Sequence, residues 1–225
     1  MSQIHSRRKS DNPYIETVWR STNLTDGVYH ATPDGSWDLI VLIDSAGHKR
    51  MMLTGQATKT YDVPYQADTS SIVISFVGGA YMPHVPAAKI VDLVEILPNA
   101  DADHFILNDH TFAFPTYETA EALVEQLVST GTLAMNTIVE AALSGSPLAT
   151  SDRTVQRHFT QTTGVTQKSI EQINRAQQAV KMIQTGVKPV DVAAEVGYTD
   201  QAHLSKSLKR IMGAPPSDVS HIHKL

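Results

Sequence analysis

Two segments of the C-terminal third repeat one pattern: Ser151-Asp152-Arg153-Thr154-Val155-Gln156-Arg157-His158-Phe159, running on to Gly164, and Asp200-Gln201-Ala202-His203-Leu204-Ser205-Lys206-Ser207-Leu208, running on to Gly213. Each opens on a short polar residue suited to cap a helix N-terminus, Ser151 or Asp200. Four and eight residues later comes an apolar side chain, Val155 and Phe159 in one copy, Leu204 and Leu208 in the other. That spacing predicts a one-sided helix. A cation stands at the sixth position after each cap (Arg157, Lys206), and a glycine suited to end the helix follows at Gly164 or Gly213. Both helices therefore have an apolar edge to bury and an edge of Arg, Gln, Ser and Lys. Such a rod suits a DNA groove.

Ahead of the second copy runs Pro189-Val190-Asp191-Val192-Ala193-Ala194-Glu195-Val196-Gly197-Tyr198. Pro189 fits a first helical turn, Val190, Ala193 and Val196 share a face, and Gly197 supplies a turn. Helix, turn and capped helix predict a helix-turn-helix. The run "DVAAEVGYTDQAHLSKSLKRIMGAPPSDV" resembles the signature of AraC-type bacterial transcription regulators, and "SDRTVQRHFTQTTGVTQ" resembles their first recognition helix. The likeness covers residues 132 to 225 and implies two helix-turn-helix units. One stretch departs from it. The family pattern calls for a scaffold helix with a Leu-Ala pair and a turn glycine, where this chain has Ala141 to Thr150 with Pro147. Proline breaks a helix interior, so the first unit is expected to be shortened or irregular there.

The polar edges carry the candidate contacts. Arginine matches guanine O6 and N7 and glutamine matches adenine N6 and N7, so Arg153, Gln156 and Arg157 are suited to read bases. The family's base-contacting positions fall on the same three residues, and in the second helix on Gln201, Ala202, Ser205 and Lys206. Ala202 offers only a methyl contact to thymine, so this helix should be the weaker of the two. Lys209 and Arg210, a turn later, are expected at phosphates. Thr166 caps a connecting helix with Ile170, Ile173, Ala176, Val180 and Ile183 on one face, and Gly186 stops it. A rigid spacer of that kind should set the two helices about 34 Å apart, in successive major-groove segments.

Charge divides along the same line. From residue 132 onward ten Lys and Arg face seven Asp and Glu, a balance of +3, whereas residues 1 to 131 hold eight against sixteen, or −8; together they give the net −5. A mildly basic module thus follows an acidic one that suits sensing or assembly rather than phosphate contact. With no cysteine, disulfides and thiolate zinc sites are excluded. No apolar run reaches the ~20 residues of a membrane span, and the polar start lacks a signal core, so a cytoplasmic location is the expectation.

Residues 13 to about 80 read as β-structure: Tyr14 to Trp19, a buried Trp37 to Ile43 closed by Asp44 to Gly47, then Lys49 to Leu53, Gln56 to Val63 and Ser71 to Val77, with a turn at Pro33-Asp34-Gly35. Short strands at this spacing suggest a small barrel or sandwich. "PDGSWDLIV" and "LTGQAT" resemble the β-rich, often cupin-like N-terminal domain of some AraC-type regulators. Pro86 to Val91 reads as a short helix amid loop. Thr116 is expected to cap a helix with Ala120, Leu123, Val124, Leu127 and Val128 on one face, either a spacer or dimer contact or a helix packed on its own β-domain. Thr132 to Leu143 should be the first helix of the C-terminal domain.

The expected class is therefore α+β: a β-rich sensor or dimerisation domain (1 to 112), a linker helix (113 to 131), and an AraC-type DNA-binding domain (132 to 225). Expected partners are double-stranded DNA, RNA polymerase, a second copy and a small-molecule effector, for which Tyr29, Trp37 and Tyr61 are candidate pocket residues. No cofactor, catalytic group or metal site is expected. His30, His48, His84, His104 and His110 lack the His-x-His, Glu and later His of a cupin metal site, and His221-x-His223 lies on a polar tail. Two rivals stand beside this reading. One is a metal-dependent cupin-type enzyme with a helical appendage; the other is a protein-interaction adaptor with degenerate helix-turn-helix units.

Overall fold

The computed structural model describes residues 3–219. Its N-terminal region is β-rich and its C-terminal region helical, as the α+β reading expects. The strands are β1 Gln3–Arg8, β2 Ile15–Asn23, β3 Gly27–Ala31, β4 Asp38–Ile43, β5 Lys49–Thr54, β6 Tyr61–Tyr65, β7 Ser70–Phe76 and β8 Ala80–Tyr81. After a 3₁₀ turn at Ala87–Lys89 come β9 Val94–Ile96, β10 His104–Leu107 and β11 His110–Ala113. Helix α1 (Ala120–Ser129) and a short β12 (Ala134–Met135) lead to α2 Thr137–Leu143, α3 Asp152–Thr163, α4 Gln167–Gln184, α5 Pro189–Glu195 and α6 Gln201–Ile211.

Contacts divide the chain into two compact units, one of residues 1–27, 36–56 and 64–166, the other of residues 28–35, 57–63 and 167–225. The first is built on an antiparallel six-stranded sheet in the order β1-β2-β7-β4-β5-β9. Alternation decides which side each residue takes: in β4, Leu39 and Val41 are buried while their neighbours are only half-buried. Trp37, just before β4, stacks on Phe76 with ring centroids 4.0 Å apart and donates its indole N–H to the Ala80 carbonyl at 2.8 Å.

Helix α1 packs into this core, because Ala120, Leu123, Val124 and Leu127 are buried in the same cluster as the sheet residues. Of the two roles open to it from sequence, packing on the β-rich region is the one observed. It starts later than expected. Thr119, not Thr116, occupies the N-cap position, and the Thr116 hydroxyl accepts from Glu118 N in a turn ahead of the helix. Helix α2 is also shorter than expected. Residues 132–136 are not helical, since Ala134 and Met135 pair with Tyr81 and Ala80, and the helix begins only after the Asn136 cap.

An ion pair ties β1 to α1. The Arg8 guanidinium bonds both carboxylate oxygens of Glu121, one at 2.7 Å, and also donates to the Tyr117 carbonyl at 2.7 Å; Ser10 Oγ donates to Glu121 at 2.8 Å. The hydrogen bonds from Arg8, and secondarily from Ser10, hold the Glu121 carboxyl at about 2, below its ordinary 4.5. A carboxyl whose folded-state value is depressed adds stability that is present above its unfolded value and lost as pH falls towards the folded one. Glu121→Gln should therefore lower the denaturation midpoint at pH 7, and the gap from the parent chain should narrow between pH 4.5 and 2. A constant gap from pH 7 to 3 would contradict the pairing.

Candidate nucleic-acid interface and a cavity behind its first helix

Both predicted recognition helices form, and their caps are the predicted ones. Ser151 Oγ accepts from Thr154 N at 3.3 Å, and the Asp200 carboxylate accepts from His203 N at 2.7 Å. Gly164 ends α3 in the left-handed conformation (φ 76°). That glycine is needed twice over, since a Cβ there would also lie 2.6 Å from the Ala87 carbonyl oxygen. Val155 and Phe159 are buried on α3, and Leu204, Leu208 and Ile211 on α6.

The opposite edges face outward. Arg153, Gln156 and Arg157 are exposed on α3, and their side chains have no hydrogen-bond or ion-pair partner among the described residues. Three free donors on one helical edge are what base-edge contacts require. On α6, Gln201, Ala202, Lys206 and Lys209 are exposed. Ser205 is half-buried, and its hydroxyl donates back to the Gln201 carbonyl at 2.8 Å. Arg210 is exposed but donates to Gln172 Oε1 on α4 at 3.1 Å. Of the nine candidates, then, Ser205 and Arg210 already have intramolecular partners.

The two helices are mounted differently. In the first unit α3 packs against α2, β8 and the 3₁₀ turn. Asn136 joins α2 to α3: its Oδ1 accepts from Ile138 N and Val139 N, while its Nδ2 donates to Thr162 Oγ1 at 2.7 Å and to His158 Nδ1 at 3.0 Å. Between α2 and α3 the chain from Ser144 to Ser151 is non-helical and contains Pro147, so the expected scaffold helix is absent from the Ala141–Thr150 stretch apart from the end of α2. In the second unit α4, α5 and α6 share a core with Val192, Ala193, Leu204 and Leu208. Gly197 (φ 76°) makes the α5–α6 turn, and Tyr198 OH donates to the buried Ser207 hydroxyl at 3.1 Å. Residues distant in sequence complete this unit. Thr60 N and Thr60 Oγ1 both donate to the Ile211 carbonyl, at 3.0 and 3.1 Å, satisfying an acceptor at the end of α6. Gln177 Nε2 donates to the Pro33 carbonyl at 2.9 Å.

Behind α3, within the first unit, lies a cavity of about 370 Å³ counted with its open mouth. Trp37, Leu53, Gln56, Met82, Ile90 and Thr162 are among its walls. Of the three candidate pocket residues only Trp37 lines it. Tyr29 and Tyr61 are half-buried on the paired strands β3 and β6, in segments that belong to the second unit. Sequence reading missed Gln56 and Thr162, whose role depends on approach between distant segments. Asn136 did carry a signal, as a capping residue four positions before Glu140, close to the start of a helix.

Among the described residues no group of three or more His, Asp or Glu gathers as metal ligands. His30, His48 and His104 instead pair singly with Asp62, Asp44 and Asp101. His221 and His223 lie outside the described residues. No helix among the described residues is long and apolar enough to cross a membrane.

Helices α5 and α6, joined by the Gly197 turn and packed with α4 on one core, define a helix-turn-helix. Residues 146–221, about a third of the chain, match the family model described as a helix-turn-helix domain, which bears out the resemblance read from these residues. Over 48 residues the chain is 40% identical to YbfI, an uncharacterized HTH-type transcriptional regulator of Bacillus subtilis (strain 168). That match takes in 21% of this chain and spans only 18% of the relative's length. Among solved structures, ToxT from Vibrio cholerae O395 aligns over 100% of this chain and 99% of its own, at 10% identity and a TM-score of 0.43. ToxT from strain SCE256, with an unsaturated fatty acid bound, aligns over 96% and 94% at 9% identity and a TM-score of 0.40.

Proposed function

We propose that the chain is a sequence-specific regulator of transcription that binds double-stranded DNA through α3 and α6 and is controlled by a small molecule held in its β-rich region. The observation that carries this reading is the helix-turn-helix match together with the unpartnered, outward edge of Arg153, Gln156 and Arg157. Free guanidinium and amide groups on a capped, rigid helix are suited to base edges, while Lys209 and Arg210 on the last turn of α6 suit phosphates. The acidic N-terminal region would repel phosphate and so confine DNA to the C-terminal helices. In this reading the protein works without catalysis, in the cytoplasm, as a homodimer that recruits or blocks RNA polymerase. Each helix enters a major groove.

Selection of bound fragments from genomic DNA, followed by gel shift, tests the reading. Arg157→Ala should weaken the selected site by ~1–3 kcal/mol and relax preference at one base pair. Equal weakening on every sequence would remove Arg157 from base reading. No retained fragment at all would leave an adaptor as the better account. Lys209→Ala should instead lower affinity on all sequences and reduce the salt slope by about one.

A further inference from the structure

We propose that the cavity behind α3 takes a compact, neutral, mostly apolar molecule bearing one hydrogen-bond acceptor, which the side-chain amide of Gln56 recognises. This rests on the reading that the β-rich region holds an effector, and it assigns that effector a place and a chemical class. The walls supply the argument. Leu53, Met82, Val85 and Ile90 are aliphatic or thioether, and Trp37 and Tyr81 are aromatic. No lysine, arginine, histidine, aspartate or glutamate lines the cavity. An ionised ligand would lose its hydration without gaining a counter-charge, a loss that selects against carboxylates and amines.

Among the buried polar side chains on the wall, one is left over. Gln56 is 3% exposed, and its Nε2 has no hydrogen-bond partner among the described residues. A buried donor without an acceptor is costly, and an acceptor brought by a ligand removes that cost. The other polar side chains contributed by α3 are already engaged. Thr163 Oγ1 bonds the Phe159 and Val165 carbonyls and the Val165 N–H, and Thr162 Oγ1 accepts from Asn136. Thr162 also gives the occupant a route to the DNA-reading helix, because it belongs both to the cavity wall and to the Asn136 junction that joins α2 to α3.

Three aromatic probes of similar size test the class on the full chain: 2-acetonaphthone (neutral, one acceptor), 2-ethylnaphthalene (no acceptor) and 2-naphthoate (anionic). Binding is followed by calorimetry. The ketone should bind about fivefold tighter than the hydrocarbon, the worth of one net hydrogen bond, and the carboxylate should bind weakest. Gln56→Leu should bring the ketone-to-hydrocarbon ratio close to one while keeping hydrocarbon binding. Ala87→Phe should abolish binding of all three, with circular dichroism to confirm that the variant is folded. The proposal is overturned if no probe binds the parent chain, if the carboxylate binds tightest, or if Gln56→Leu leaves the ratio unchanged. Gel shifts on the same preparations without probe separate the two readings. DNA binding without probe binding removes this inference alone; probe binding without DNA binding removes the regulator and leaves the cavity.

Discussion

Phe159→Ala should cost the first unit ~3–5 kcal/mol of stability and abolish DNA binding along with it. Phe159 is fully buried, eight residues after the Ser151 cap, on the face of α3 opposite Arg157. Truncating a buried phenylalanine removes the transfer free energy of the ring and leaves a cavity that neighbours fill only in part. Relaxation here is limited because both ends of α3 are fixed, by the Ser151 cap at one and by the close approach of Gly164 to Ala87 at the other. Phe159→Leu, which keeps most of the volume, should retain much of what the alanine loses. Denaturant titration reads the stability, and gel shift reads the function. If Phe159→Ala unfolds at the parent midpoint yet fails to bind DNA, Phe159 acts at the interface and the orientation of α3 described above is wrong.

The contrast between Phe159 and Gln56 shows what kind of information a single sequence holds. Everything that places Phe159 is local: a capping serine, apolar residues at helical spacing, and a stop glycine. Each is satisfied within a dozen residues, so α3 and α6 were legible down to their caps. The strands of the sheet were legible for a similar reason, since short apolar, β-branched runs such as Leu39 to Ile43 and Ile72 to Ile74, bounded by turn residues, mark buried strands. Strand β1 was not, because an edge strand reading Gln-Ile-His-Ser-Arg-Arg has little apolar face to alternate. The β10–β11 hairpin had a signal that went unread. Asn108 and Asp109 both adopt positive φ, 51° and 60°, the backbone of a type I′ turn for which Asn and Asp are among the preferred residues. The two-residue pairing of β8 with β12 is too short for any periodicity, and it cost the expected helix Thr132 to Leu143 its first five residues. The cavity depends on contacts between segments as far apart as Trp37 and Thr163, and no local pattern encodes those.

The same long-range packing makes one glycine harder to replace than any other in the first unit, and Gly55→Ala should show it. A Cβ at Gly55 would lie 1.8 Å from the Ile90 carbonyl oxygen and 2.3 Å from its carbon, both backbone atoms that no rotamer change can move aside. Gly55 is not among the positive-φ glycines, so alanine meets no conformational penalty there and the whole effect is steric. Its own N–H donates to the Leu93 carbonyl at 3.0 Å, fixing the end of β5 to the segment leading into β9. Separating these backbones breaks that bond and parts the cavity walls at Gly55 and Ile90. The cost should reach the upper end of the ~1–3 kcal/mol typical of overpacking. The variant should lose 2-acetonaphthone binding while the α4–α6 unit keeps its helical signal. Gly55→Ser, which adds the same Cβ with a hydroxyl, should do at least as much harm. Gly47→Ala provides the control: it has a positive φ of 86° but no atom within 4 Å of the added Cβ, so only backbone strain acts and probe binding should survive. If Gly55→Ala binds 2-acetonaphthone as the parent does, the approach of β5 to Ile90 is looser than described, and the cavity would have to be held open by other contacts.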